Sequence, residues 1–497
     1  MYPASQPSPT QPGPTQPDPA MLGRRVRDMI AAGRVHSARP LLGALRRLTP
    51  PSPELCDMAA RLLLREGRIP EALAELDAGL AMDGNSVELR ISRADARMQA
   101  QDVLGAAADA ADAVMLAPGN SQAKAVLGVI LLEMNRPEDA VPCLREAVAA
   151  DPRRASCVRA LGAAMERIGD IEGANAVLAH GIAHSPGDVG LRTAAIMVAM
   201  RRREFDRAAE LAEAARRDGV ADASVFGLRG HALSSLGRHE EANLAYAEAL
   251  KLAPEDPYVR HLVVAAGLLP QASRTPASYL ETVFDGYAER FESHLIGLQY
   301  RVPGLLRAAL LAHCPALARG ETLGPVLDLG CGTGLMAVVL SDLAVAGLVG
   351  VDISNGMLAE ARAKGLYQSI VHAELEAFLT QDTTAWPVVL AADVFCYFGV
   401  LDEVLALVHA RLRPGGKLMF TVEELDDAVF GDAVSGDQRG WRLGRQGRFA
   451  HCHDYVVQTA TATGFAISAA RREVLRTEAQ ADVPGLLFVL ERVRHDD

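Results

Sequence analysis

Alanine returns at one fixed interval through the first half of this chain: Ala38, Ala72, Ala106, Ala140, Ala174, Ala208 and Ala242 stand 34 residues apart. Residues that end helices keep the same step at Pro50, Gly84, Pro118, Pro152, Pro186 and Pro254, with Val220 the exception. A unit of this length is one pair of helices. It cannot bury its apolar face alone, so neighbouring pairs must stack. A small side chain at one fixed place per pair fits a point where helices cross closely. Leu127-Gly128 and Leu161-Gly162 repeat a second such point, and Gly33, Gly67, Gly169 and Gly237 mark the turn inside a pair. The expectation is an all-α solenoid over residues 21–268, about seven units with the first degenerate and Pro257–Leu268 as a capping helix.

The second half has a different grammar. Val326, Leu327 and Leu329 read as a buried strand, Asp328 sits near its end, and Gly330, Gly332 and Gly334 let the backbone turn tightly against a ligand. A dinucleotide fingerprint would need its last glycine at Leu335, and no phosphate-binding Gly-Lys-Ser/Thr follows, so neither NAD nor ATP fits. S-adenosylmethionine remains. A second apolar strand, Leu348–Val351, ends at Asp352, whose carboxylate suits the two ribose hydroxyls, with Ile353 beside it. A third, Ser369–His372, leads to Glu374 for the adenine amino group and Leu375 to cover the ring. A fourth, Val388–Ala392, ends at Asp393, and Val394 to Phe398 form an apolar, aromatic lip. Ligands in open α/β sheets bind at the carboxyl ends of strands, which is where these acids fall.

A helix over Leu401–Leu412, a turn at Pro414-Gly415-Gly416, and strands at Lys417–Val422, Phe465–Ser468 and Leu486–Leu490 complete the pattern. Residues from about Tyr279 to Arg492 resemble class I S-adenosylmethionine-dependent methyltransferases. That resemblance implies an α/β, Rossmann-like, seven-stranded sheet with one antiparallel strand, and S-adenosylmethionine as cofactor. The 34-residue repeats resemble tetratricopeptide repeats. The segments FDGYAERFESHL (Phe284–Leu295), AADVFCYFG (Ala391–Gly399) and GRFAHCHDYV (Gly447–Val456) resemble bacterial methyltransferases preceded by such repeats. The resemblance implies an activity and no particular substrate. The expected order is a proline-rich, unfolded tail at 1–20, the repeats at 21–268, a linker at 269–277, and the methyltransferase domain at 278–497.

Methyl transfer from a sulfonium needs alignment and a dry site more than a dedicated base. Tyr287, Tyr397, Glu423, Glu424 and His451 are candidates for the acceptor side. Tyr287 falls in what resembles the lid over the methionine end of the cofactor, and His451 could deprotonate a hydroxyl. These two are the expected catalytic residues. The run His451-Cys452-His453-Asp454 has no partner group elsewhere at metal-ligand spacing, and Asp454 reads as a helix N-cap, so no metal is expected. After the fourth strand, Asp393-Val394-Phe395-Cys396 replaces the Asn/Asp-Pro-Pro-aromatic of many amine-methylating enzymes. That favours a hydroxyl or carboxylate on a small molecule or glycan. The alternatives are a protein methyltransferase, or an interaction scaffold that binds the cofactor without turnover.

A net charge of −12 argues against nucleic acid as a partner. No apolar run approaches the roughly 18 residues of a membrane span, and no secretion signal opens the chain. Seven cysteines without paired spacing fit a reducing, cytoplasmic setting. The repeats are expected to recruit a protein or peptide through their groove, which Arg90, Arg93, Arg97, Arg159 and Arg192 would line.

Overall fold

The computed structural model describes residues 18–425, 440–478 and 481–493. It divides into two compact units, Met1–Ala221 and Asp222–Asp497. The proline-rich start lies outside the described residues up to position 17, and Pro19 already opens a helix.

The first unit is built of helix pairs: Pro19–Ala31 with Val35–Leu48, Pro53–Arg65 with Ile69–Met82, Val87–Gln99 with Val103–Leu116, Ser121–Glu133 with Pro137–Ala150, Ala155–Arg167 with Ile171–His184, and Val189–Arg201 with Phe205–Arg217. Each periodic alanine is the fourth residue of the second helix of its pair, and all seven in the chain have no exposed surface. The close crossings are visible in the neighbours: a Cβ on Gly128 would stand 2.6 Å from Leu144 Cγ. The turn glycines Gly33, Gly67, Gly169 and Gly237 all have positive φ. At the three equivalent places the chain has Gln101, Asn135 and Arg203, which take the same left-handed conformation at φ 62°, 54° and 60°.

The second unit opens with another helix pair, Ala223–Ser235 and His239–Leu252, and the single helix Pro257–Ala265. The compact units therefore part inside the repeat array, 48 residues before the expected linker begins (269 minus 221). The physical reason is apolar: Val264, Ala265 and Leu269 pack with Trp441, Leu443 and Phe449 of the C-terminal sheet.

That sheet contains β1 (Val326–Leu329), β2 (Leu348–Asp352), β3 (Ser369–His372), β4 (Trp386–Ala391), β5 (Leu412–Glu424), β6 (Trp441–Leu443), β7 (Phe449–His451), β8 (Phe465–Glu478) and β9 (Ala481–Arg492). Parallel pairing runs β3-β2-β1-β4-β5, and β9 is antiparallel to both β5 and β8. These seven strands form the expected mostly parallel sheet with one antiparallel member. Beyond them, β6 and β7 form a short antiparallel pair, attached where β7 meets Glu423 and Glu424 at the tip of β5. Pro414-Gly415-Gly416, expected as a turn, lies inside β5 as an irregularity in its pairing with β4. Both sheet faces are buried, one around Leu327, Val389, Phe420 and Phe488, the other around Val326, Leu390, Met419 and Leu487. That explains why β4 reads as an uninterrupted apolar run and β1 as one broken only by Asp328.

Candidate active site

The cradle forms where β1 ends. Gly330, Gly332 and Gly334 take φ of 64°, 52° and 90°, and a Cβ on Gly330 would stand 2.6 Å from Val394 Cγ2. The loop closes onto the next strand: Gly332 N–H donates to Asp352 Oδ2 at 2.8 Å, and Ser354 N–H donates to Asp352 Oδ1 at 2.9 Å. Asp352 is thus oriented by backbone, and each oxygen keeps a lone pair for a ligand. Burial raises its carboxyl above the usual range, while these backbone donors work the other way. The helix N-cap here is Ser354, whose Oγ accepts from Met357 N–H.

Asp328 is wholly enclosed. Tyr367 Oη donates to its Oδ2 at 2.6 Å, and its Oδ1 has no hydrogen-bond partner among the described residues. Burial pushes its carboxyl up to about 7. A buried acceptor without a donor is costly in the free protein, and a cationic donor would complete it. The glycine cradle, the oriented Asp352 and this orphaned oxygen together fit the nucleoside and amino-acid ends of S-adenosylmethionine.

The remaining cofactor candidates are arranged differently. His372 Nε2 meets the Ile353 carbonyl at 2.7 Å. Glu374 precedes the helix Leu375–Gln381 and pairs with Arg274 Nη1 at 3.4 Å, and Arg274 also bonds Glu376, so the adenine role would have to share that carboxylate. Leu375 is half-buried beside the sheet core. Asp393 takes φ 57° and turns into the protein, where Oδ2 meets Arg476 Nη1 at 3.0 Å. Arg476 also bonds Glu423 and Glu478, and Arg448 Nε donates to Glu423 at 2.7 Å. Asp393 and Glu423 therefore belong to a buried ion network at the ends of β4 and β5. Glu424 pairs with Arg472 at the surface.

Tyr287 immediately precedes the helix Ala288–Gly297, edge-on to Phe291 at 5.7 Å and to His294 at 5.5 Å, and its Oη is buried without a hydrogen-bond partner among the described residues. Phe291 reaches the glycine loop, its Cε1 3.8 Å from where a Cβ on Gly332 would be. Phe284 stands edge-on to Tyr397 at 5.7 Å. This segment lies against the cradle.

His451 does not suit the base role expected of it. Its ring has no exposed surface, Nε2 meets the Gly399 carbonyl at 3.2 Å, and Nδ1 has no partner among the described residues. Burial lowers its pKa to about 4, so the ring is neutral and sealed, stacked on Tyr455 at 5.9 Å. Nor is Asp454 a cap: Cys452 holds that position before the helix His453–Ala462. Among the described residues, no three His, Cys, Asp or Glu side chains gather as a metal site.

Four of the five arginines expected to line the repeats, Arg90, Arg93, Arg97 and Arg192, are paired within the fold, and Arg159 is exposed. Asp109, nearly fully buried, meets Arg93 at 2.6 Å, Arg97 at 2.8 Å and Arg90 at 3.7 Å, and Asp77 and Asp112 add to the cluster. Arg192 is buried against Asp218 and the Pro186 carbonyl. These residues hold helices together instead of presenting free charge.

Two family models match. Residues 326–416 match a methyltransferase domain, and residues 58–121, 126–188 and 193–257 match tetratricopeptide repeats. Among curated relatives, the ribosomal protein L11 methyltransferase of Xanthomonas campestris pv. campestris is 37% identical over 95 residues, 19% of this chain and 30% of that protein. Methyltransferase-like protein 27 of Homo sapiens is 35% identical over 114 residues, 23% of this chain and 43% of that protein. The chain thus spans less than half the length of either relative. No helix among the described residues is long and apolar enough to cross a membrane.

Proposed function

Because the chain joins tetratricopeptide repeats to an S-adenosylmethionine-dependent methyltransferase domain, we propose that it transfers a methyl group to a carboxylate or hydroxyl of a small molecule or glycan. The observation that carries this reading is the closure of Gly332 N–H onto Asp352 beside the orphaned Asp328 Oδ1. S-adenosylmethionine supplies an electrophilic methyl group on a sulfonium sulfur. The chain has to hold, align and dry the reacting groups. Asp352 accepts from the ribose hydroxyls, Asp328 from the ammonium, and the loop around Gly332 gives the backbone close approach. Phe284, Tyr287 and Phe291 exclude water from the methionine end.

The acceptor side favours an anion. His451 is sealed and neutral, and Asp393 and Glu423 are already paired with Arg476, so none of these is free to take a proton. A carboxylate arrives deprotonated and needs no base. Within this reading the repeats recruit a protein partner. A second reading, with a protein side chain as acceptor, draws on the relatives named as methyltransferases of a ribosomal protein.

The test is titration calorimetry with S-adenosylmethionine, then transfer of a labelled methyl group into size-fractionated extract. Label in the small-molecule or glycan fraction is the expected outcome. Label on protein would favour the second reading, and binding without transfer would leave a scaffold that retains the cofactor.

A further inference from the structure

We infer that the helix ending the repeat array is a working part of the cofactor site, acting through the short helix Ala277–Asp285. The inference rests on the reading of that site as one for S-adenosylmethionine. Ala277–Asp285 has 9 residues, and none of them is fully buried, so core packing does not fix its place. Its two ends are anchored instead.

Near its start, Tyr279 stacks on Tyr258 with ring centroids 5.2 Å apart and leans on His261 at 4.3 Å. Both partners sit on Pro257–Ala265, the last helix of the repeats. His261 is itself held, its Nε2 3.2 Å from the Gly447 carbonyl. At the other end, Asp285 Oδ1 accepts from Ser354 Oγ at 2.6 Å and from Gly356 N–H at 2.9 Å. Ser354 is the residue whose N–H orients Asp352. Phe284, next to Asp285, meets Tyr397 after β4.

A helix of this length spans about 13 Å and moves as a rod. A shift at Tyr279 therefore reaches Asp285, and through Ser354 the carboxylate assigned to the ribose. Tyr258, His261 and Tyr279 are positioning residues. A ligand of the repeats that displaces Pro257–Ala265 changes affinity for the cofactor by this route, and by reciprocity the cofactor changes affinity for that ligand.

The test is S-adenosylmethionine affinity of full-length variants by titration calorimetry. Tyr258→Ala and Tyr279→Ala are each expected to bind about three- to tenfold more weakly, the range of one aromatic pair. The double variant should bind no more weakly than Tyr279→Ala alone, because that change already removes the contact with Tyr258 as well as the one with His261. Tyr258→Phe keeps the stack and should keep wild-type affinity. Leu233→Ala empties a buried position in Ala223–Ser235. It should lower thermal stability without weakening binding. Unchanged affinity in Tyr258→Ala, additive losses, or an equal loss in Leu233→Ala would each overturn the inference while leaving the cofactor reading intact. Failure of the wild-type chain to bind would overturn both.

Discussion

Tyr367 Oη donates to Asp328 Oδ2 at 2.6 Å, and the other oxygen of the same buried carboxylate has no donor among the described residues. One oxygen of Asp328 is thus satisfied by the fold and the other is not. Burial raises its carboxyl to about 7 from an unfolded value of 3.8. A raised carboxyl means that stability is full below the unfolded value and is lost as pH rises through the folded one. The free protein should therefore lose stability between about pH 4 and 8, on the order of 4 kcal/mol from this group. Asp328→Asn should flatten that trend in thermal melts.

In the proposed site the same group would set the pH dependence of cofactor affinity. An ammonium binds the ionised carboxylate, so wild-type affinity should rise roughly tenfold from pH 6 to pH 8 and level off above. In Asp328→Asn the affinity should be lower and independent of pH over that range. Calorimetry at three pH values checks it, and a wild-type affinity that falls with pH would remove Asp328 from the ammonium.

His451 titrates with the opposite sign. Burial depresses its folded pKa to about 4 from 6.5. Its contribution is present above the unfolded value and lost as pH falls through the folded one, on the order of 3 kcal/mol between pH 6.5 and 4. His451→Gln keeps a donor for the Gly399 carbonyl and should remove this acid lability. It should also leave cofactor affinity at the wild-type value, since the ring serves the β7 packing and not the cradle.

The acids at the ends of β2 and β4 were legible because each is the first polar residue after an apolar run, Asp352 after Leu348 to Val351 and Asp393 after Trp386–Ala391 and Ala392. Ser369–His372 matches β3 residue for residue. What escaped was carried by distant pairs or by local sequence that points the wrong way. Asp393 and Arg476 are 83 positions apart, so nothing near either one announces their contact. Only Phe465–Ser468 was expected of β8, whose charged residues Arg471, Arg472, Glu473 and Arg476 interrupt any apolar pattern although pairing with β9 continues past them. The β6 and β7 strands, 3 residues each, are too short to show an alternation. The parting of the units at Ala221 was hidden because Val264 and Ala265 look like ordinary repeat core until Trp441 is seen beside them.

Arg476 is the residue on which the buried network depends. Its side chain is 2% exposed and touches Asp393, Glu423 and Glu478. Arg476→Met should cost about 3–5 kcal/mol, because the buried Asp393 loses its counter-charge and Glu423 keeps only Arg448. Arg472→Met, on a side chain that is 70% exposed, should cost under about 1 kcal/mol. Paired denaturant melts at pH 7 distinguish them. Equal effects would mean that water reaches the network freely.

The repeats offer a change in the stabilising direction. Arg203 occupies the turn position that glycine fills at Gly169 and Gly237, with φ 60° against 83° and 74°. A side chain in this conformation costs roughly 1–2 kcal/mol, and glycine gives back roughly 0.5–1 kcal/mol of that in extra chain entropy when unfolded. Arg203→Gly should therefore stabilise the chain by about 0.5–1 kcal/mol, while Asn135→Gly should change little, because asparagine tolerates the left-handed region. Gly169→Ala is the converse and should destabilise by a similar amount. Urea melts followed by circular dichroism check all three: the midpoint should move up for Arg203→Gly and down for Gly169→Ala at constant slope. A lower midpoint for Arg203→Gly would mean that this arginine makes a contact worth more than the strain of its backbone.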